Sequence, residues 1–387
     1  LLFMQHAIAK MDNNVGRAAI ITNGSPLFSG NTTSGESQIR RMMLEEDLIE
    51  AIIALPSQLF YNTDIGIYAF ILSKNKDERR KNKIQLIDAT DMWEPLKRSL
   101  GKKRREISKV QIAAITKAYA DFAEGKDSFA SERRKENGEA YSCRLDCRIF
   151  DKNTFLYKEY AVYQPLQRRG MMDADSIEKL RTSAYFTANS NLFNEADFEE
   201  LTETDPRDAK AEKKYQKYLK GDAFTKAVIA ALRNHQSNQI YDDYAKFEAQ
   251  LKMILRGIEG YSTSRLTGIA MEMSVMDKSA KLQKDKKGNI IVDPTTKDTE
   301  IVSMDKNVEE YMKTEVYPYV PDAIWRYEYN PAKPESTSNK EKLGAEFPFT
   351  RFFYEYHEPE KSDDLLAEFM EIEKGLAAKI AALNGEL

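Results

Sequence analysis

The chain has 387 residues, enough for two or three domains with real cores. Its 58 basic and 62 acidic residues leave a net charge of -4 and a pI near 5.8, so no basic footprint for nucleic acid covers the whole chain. Two cysteines exclude a disulfide framework, and no apolar run reaches the roughly 18 residues of a membrane span, so a cytoplasmic protein with no membrane partner is expected.

The opening, LLFMQHAIAKM, has no Met at position 1 and reads as part of an amphipathic helix with Phe3, Ile8 and Met11 as apolar points. A domain that begins inside a pattern predicts that part of it lies upstream. RAAIIT (17–22) reads as a short buried strand, NGSPLFSGNTTSG (23–35) as a loop, and 36–48 as a helix carrying Ile39, Met42, Met43 and Leu44. The runs 49–55 and 65–73 are almost unbroken in apolar residues, which marks strands covered on both faces. With a further strand at 83–87, the alternation predicts a three-layer α/β sheet. A right-handed parallel crossover and at least one antiparallel pair are expected within it.

KNKDERRKN (74–82) reads as an exposed connection, and DATDMWEPL (88–96) leaves the sheet. A basic cluster, GKKRRE (101–106), precedes a helix announced by the capping-box spacing of Ser108 and Gln111. Residues 124–139 are polar and read as a linker or surface loop, and 147–169 has strand character. Helical patterns follow at 176–180, 222–234 and 240–255, an exposed hairpin with its tip near Gly288 at 277–300, and a helix at 307–316. EFPFTRFFYEY (346–356) looks like a dense aromatic strand. The closing helix, 363–383, lines up Leu365, Phe369, Ile372, Leu376, Ile380 and Leu383 in a stripe like a coiled-coil seam. These elements divide the chain into 1–96, a mostly helical 97–345 containing the hairpin, and 346–387.

Between the two apolar runs lies SQLFYNTD, where Phe60 and Tyr61 precede Asn62, Thr63 and Asp64. Loops at strand ends are where α/β proteins bind ligands, and an exposed aromatic there stacks on a base extruded from a duplex. The competing reading makes both rings core plugs. Arg79–Lys81 and Lys102–Arg105 suit phosphate contacts, but composition alone favours solvated faces. NTTSGES leads into a helix whose N-terminus suits an anion, but a plain surface loop is the favoured reading. Cys143 and Cys147 with only three histidines make no metal-ligand set, and no phosphate-loop, GxGxxG or HExxH pattern occurs. No catalytic residue is assigned.

FMQHAIAKM, GRAAIITNGSPLFSG, GESQIRRMMLEEDLIEAIIALPSQLFYNTDIGIYAFILSK and IQLIDAT, in that order, resemble the second half of the methyltransferase domain of the modification (M) subunit of type I restriction–modification systems. EVYPYVPDAIW and EFPFTRFFYEYHEPE with the closing helix are similar to the C-terminal region of the same subunits, and YKEYAVYQPLQRR to a segment between. The resemblance implies a partial Rossmann-like, S-adenosylmethionine-dependent methyltransferase sheet. A mainly helical C-terminal region would follow it, ending in a coiled-coil-like helix.

It also implies methylation of adenine N6 in duplex DNA with S-adenosylmethionine. The partners would be a specificity (S) subunit, which reads the sequence, and a restriction (R) subunit in the full complex. The family's cofactor signature, a Gly-rich turn, and its catalytic NPP[FY] are absent from the chain, so the chain by itself is expected to be inactive. Phe60 and Tyr61, with Asn62 and Thr63 beside them, take the family's target-base loop; Asp64 stands where the family usually has Gly. The closing helix would pack on helices of the S subunit. The rival reading is a non-catalytic DNA-binding or assembly module on the same scaffold, and a methyltransferase fold acting on RNA or protein is a third.

Overall fold

The two apolar runs become adjacent antiparallel strands in the middle of a six-stranded sheet. The structure is a computed structural model that describes residues 1–387 except 135–137, 188–193, 204–206, 334–338, 357, 360 and 386–387. It forms two compact units, Leu1–Tyr157 with Leu343–Leu387, and Lys158–Lys342.

The first unit opens with α1 (Leu2–Lys10), β1 (Arg17–Asn23), α2 (Gly35–Glu45), β2 (Ile49–Leu55), β3 (Ile67–Ser73) and β4 (Lys83–Asp88). It continues through a small hairpin, β5 (Glu94–Leu100) and β6 (Lys103–Glu106), to α3 (Lys109–Asp121), β7 (Gly125–Arg134) and β8 (Ala140–Asp151). The sheet order is β1-β3-β2-β4-β8-β7. β2 and β4 are parallel; every other neighbouring pair is antiparallel. β1 and β2 do run in the same direction, but β3 is inserted between them, so the expected crossover does not join neighbours. Periodicity reports which strands are buried and is silent on which ones pair.

Burial on both faces is literal. Ile52, Ala54, Phe70, Leu72, Ile84 and Leu86 join one apolar cluster, whereas Ile53, Ile87, Cys143, Leu145 and Cys147 join another on the opposite face. Successive side chains of a strand alternate in direction, so one run feeds both cores. α3 covers the second face: its capping box forms as spaced (Ser108 with Gln111), and Gln85 reaches from β4 to donate to the Ala118 carbonyl at 2.9 Å. On the first face α1 buries Met4 and Ile8, a four-residue spacing, and leaves Phe3 86% exposed, which shifts the buried stripe away from the expected one.

Three further expectations change. Residues 125–134 are β7, not a linker; the strand lies at the sheet's edge, where a charged sequence is tolerated and unwanted pairing discouraged. Residues 94–106, read only as an exit from the sheet followed by a basic cluster, form a hairpin. The stretch from 97 therefore opens with strands and one helix, and β7 and β8 extend the sheet itself.

The second unit combines β9 (Leu156–Pro165), β10 (Arg168–Met172), α4 (Ala174–Thr182), α5 (Glu195–Glu203), α6 (Ala209–Asn234), β11 (Ser237–Tyr241), α7 (Tyr244–Leu255) and α8 (Thr263–Glu272) with β12 (Ser274–Met276), β13 (Val292–Ser303) and β14 (Ile324–Arg326). Its helices close over Leu180, Val228, Leu232, Phe247, Leu251 and Ile269. Arg168 is buried with Asp293 at 2.6 Å and is further bonded to Ser274 and the Met271 carbonyl. The hairpin expected at 277–300 is a short one: Lys284 bridges Ile290, and the Ile291 and Asp285 amides donate to the Gln283 and Asn289 carbonyls around a tip at Gly288, before β13 departs. The helix expected at 307–316 is a short α-turn, Val308–Tyr311, continued by a π-type turn, Met312–Val316.

The aromatic stretch near the end is not one strand. A three-residue strand, β15 (Leu343–Ala345), leads to α9 (Phe349–Phe353), and Phe347 and Phe349 are buried in the first unit's core, with the Phe347 ring 6.1 Å from Phe70 and 5.1 Å from Phe155. Arg40 of α2, fully buried, donates to the Ala345 carbonyl at 2.6 Å and to the Ser29 carbonyl at 2.9 Å. Gly344 passes so close to Tyr157 that a Cβ there would meet the phenol oxygen at 2.7 Å. The chain closes with α10 (Ser362–Gly385).

Candidate nucleic-acid interface

β1, β2 and β4 point the same way, so the loops after them emerge at one edge, the carboxyl edge where α/β sheets hold ligands. The β2–β3 loop rises there. Phe60 is 42% and Tyr61 58% exposed, so neither ring plugs the core. Asn62 is exposed, Thr63 half-buried with its hydroxyl accepting from the Ile65 amide at 3.3 Å, and Phe60 and Thr63 form an isolated bridge that tightens the turn. Gln58 has φ +63°, a left-handed conformation uncommon for a side chain of its size, and its carbonyl is turned toward the hairpin.

The β5–β6 hairpin docks on this loop through the backbone. The Lys102 amide donates to the Tyr61 carbonyl at 2.9 Å, and the Arg104 and Arg105 amides donate to the Gln58 carbonyl at 3.1 and 3.3 Å. Side chains follow: Arg105 reaches Ser57 Oγ at 3.2 Å, Lys103 Nζ stands 5.5 Å from the Tyr61 ring centre, and Lys102 Nζ is 3.9 Å from Asp64. Gly101, at φ +63°, makes the approach feasible, because a Cβ there would lie 2.8 Å from the Tyr61 carbonyl oxygen. At the hairpin's base, buried Glu94 accepts from Gln111, Ser131 and the Glu132 amide. The Arg105 and Arg133 guanidiniums lie over the Trp93 ring at 3.9 and 4.2 Å from its centre, and Arg133 is held by Asp91. Burial first, and then the Arg133 charge, pulls the Arg105 guanidinium below its ordinary pKa.

Thus the aromatic loop and the Lys102–Arg105 cluster, separated in the chain by the 41 positions from Tyr61 to Lys102, form one surface. Sequence reasoning missed Trp93, Gly101 and the hairpin itself. A signal existed: Leu100-Gly101-Lys102-Lys103 places Gly first in a two-residue loop, the position where hairpin turns need positive φ.

The other basic run behaves differently. Arg79 donates to the Asp121 and Ala120 carbonyls, and Arg80 to the Tyr119 carbonyl while lying 4.4 Å over the Tyr119 and Phe122 rings. This run closes the C-terminus of α3, where unpaired carbonyls and the helix dipole favour cations. The Ser/Gly-rich loop is likewise taken up internally: Ser34 caps α2, Glu36 puts a negative charge in its first turn, and Gln38 and Arg40 bond the loop's Thr32 and Ser29 carbonyls. Cys143 and Cys147 point to one face of β8 and are buried; burial, reinforced by Asp146 and Asp127, pushes the Cys147 thiol up to about 11. A cavity of about 420 Å³ beside the end of β4 is lined by charges of both signs, Asp88, Asp127, Asp146 and Glu355 with Lys126 and Arg144, and Lys126 is paired to Glu355. His6 and His235 join no cluster of metal-ligating residues among the described residues, and His357 lies outside them. In α10 the side chains of Leu365, Phe369, Ile372, Leu376 and Ile380 are all exposed; that of Leu383 lies outside the described residues. Among the described residues no helix is long and apolar enough to cross a membrane.

Residues 1–146 match the family N-6 DNA Methylase. The type I restriction enzyme MjaVIII methylase subunit of Methanocaldococcus jannaschii is 39% identical over 106 residues, 27% of this chain and 18% of the relative. The HindI methylase subunit of Haemophilus influenzae is 37% identical over 87 residues, 22% of this chain and 18% of the relative. A crystal structure of the type I restriction–modification methyltransferase subunit from Streptococcus thermophilus aligns with TM-score 0.28 and 30% identity, covering 32% of this chain and 24% of that one. The chain therefore spans under a fifth of the length of these curated relatives in each alignment.

Proposed function

We propose that the chain is part of the modification subunit of a type I restriction–modification system, which transfers a methyl group from S-adenosylmethionine to adenine N6 in duplex DNA. The observation that carries this reading is the pair of exposed rings, Phe60 and Tyr61, at the carboxyl edge of the sheet within the segment that matches the family. An extruded adenine stacks on one of these rings, with Asn62 and Thr63 as polar neighbours; stacking of this kind contributes about 1–3 kcal/mol per base. A parallel pair flanked by antiparallel strands and covered on both faces supports reading the sheet as part of a Rossmann-like methyltransferase domain. β1, at the sheet's edge with Ile21 exposed, is the side where further strands of such a domain would pair.

The residues present do not fit the methyl donor. The Gly- and Ser-rich loop is engaged with α2, and neither family signature occurs in the chain, which supports reading methyl transfer as the work of the full subunit. Chemistry belongs to the full subunit working with its S subunit, and an R subunit joins them in the full complex. The exposed apolar stripe of α10 supports a docking role on S-subunit helices, where it would form a coiled-coil-like seam.

The test is transfer of labelled methyl groups to plasmid DNA by the full subunit with its S subunit. Phe60→Ala or Tyr61→Ala, whichever ring stacks, should lower kcat/KM by about 10- to 100-fold, the range set by base stacking. Unchanged transfer in both variants removes the loop from the site.

A further inference from the structure

The geometry points to the β5–β6 hairpin as a phosphate-gripping finger that holds the DNA backbone beside the nucleotide delivered to the aromatic loop. This deepens the base-site reading above and rests on it for the identity of the nucleic acid.

Charge is concentrated on the hairpin. Residues 94–106 contain six basic and two acidic residues in a chain whose net charge is -4, and one of the two acids, Glu94, is buried and committed to Gln111 and Ser131. Among the described residues the side chains of Lys97, Arg98 and Arg104 are exposed and make no ion pair, and Lys102 has only the distant Asp64. This contrasts with Arg79 and Arg80, whose guanidiniums are satisfied by carbonyls of α3. Charges left in water on an anchored element are free to displace counterions from a phosphate backbone.

Position matters as much as charge. Three backbone hydrogen bonds and the absent side chain of Gly101 fix the hairpin against the carbonyls of Gln58 and Tyr61, so the cations cannot drift from the rings. Along β6 the residues alternate. Lys103 and Arg105 turn toward the Tyr61 and Trp93 rings, and Arg104 turns to solvent with Lys102 next to it. An inner row therefore stiffens the finger and an outer row faces the medium. A base stacked on Tyr61 or Phe60 would bring its flanking phosphates to the outer row.

The experiment titrates the 387-residue chain against two fluorescein-labelled duplexes, one fully paired and one with a central mismatched adenine, by anisotropy from about 50 to about 200 mM salt. Lys102→Ala with Arg104→Ala should reduce the slope of log affinity against log salt by about two and weaken both duplexes equally. Preference for the mismatched adenine, whose extrusion is cheaper, should persist. Lys102→Arg with Arg104→Lys keeps the charges and should keep the wild-type slope. Phe60→Ala with Tyr61→Ala should keep the slope and lose the preference. A wild-type slope and affinity in the double alanine variant overturn the finger, as does loss of slope in the charge-keeping variant or a wild type that binds neither duplex. Retention of the preference without Phe60 and Tyr61, with the slope still dependent on Lys102 and Arg104, overturns the base site alone.

Discussion

Glu50 shows how single residues set conditions on this fold. It sits within β2, where the apolar run admits one carboxylate, and it is buried. Arg17 of β1 donates to it at 2.7 Å, and the Tyr119 hydroxyl of α3 donates to it as well. A buried carboxylate without such partners would cost several kcal/mol. Burial, then the hydrogen bond to Glu50, pushes the Tyr119 phenol from its ordinary 10 up to about 12. The folded chain holds that proton more tightly than the unfolded chain. The resulting stabilisation is complete below about pH 10 and is lost as pH rises from about 10 through about 12. The melting-temperature advantage of the wild type over Tyr119→Phe should therefore be full at about pH 9 and should shrink by about pH 11. An advantage independent of pH across that window would mean that Tyr119 contributes packing only.

At the scale of elements, Gly101→Ala tests the hairpin's docking without touching a charge. The new methyl group meets the Tyr61 carbonyl and sits at positive φ, a combination that costs on the order of 1–3 kcal/mol. The strain falls on the three amides of Lys102, Arg104 and Arg105. Their hydrogen exchange should accelerate by about 5- to 100-fold, while amides in β2 and β4 keep their rates; equal rates in variant and wild type would show that Gly101 is not what brings the hairpin close. The same elements show what a sequence discloses. β2, β3 and the capped α3 were legible because each is specified locally, by an apolar run or by a Ser–Gln spacing. β7 was not, since GKDSFASERR buries little beyond Ser131 and owes its strand state to pairing with β8. The site was half legible. SQLFYNTD stood out as a loop between buried strands, and GKKRRE stood out as charge, but their union depends on hydrogen bonds between main-chain groups that carry no side-chain signature.

The whole molecule adds a long-range closure that no local pattern announces. Residues 343–353 return across a sequence separation of some 300 residues to the first core, where Ser37 accepts from the Ala345 amide at 3.0 Å and Arg40 donates to the Ala345 carbonyl. Phe347 and Phe349 join the cluster built by β2, β3 and β4. Burial of each ring stabilises by about 1.5–3 kcal/mol, and Arg40 would lose the partner of its Nε–H. That sum is comparable with the roughly 5–15 kcal/mol that holds a domain folded. α10, by contrast, exposes its apolar stripe and gives the core nothing comparable. Two truncations separate these contributions. A chain ending at 361 should melt as the full chain does by calorimetry, and should lose only the docking proposed for α10. A chain ending at 342 should lose the cooperative transition of the first unit and expose Cys143 and Cys147 to alkylation at neutral pH, where the intact protein shields both thiols by burial. If the chain ending at 342 keeps that transition and its protected thiols, the returning segment is an ornament on a core that β1–β8 and their helices complete by themselves. If the chain ending at 361 melts earlier, α10 has a place in that core.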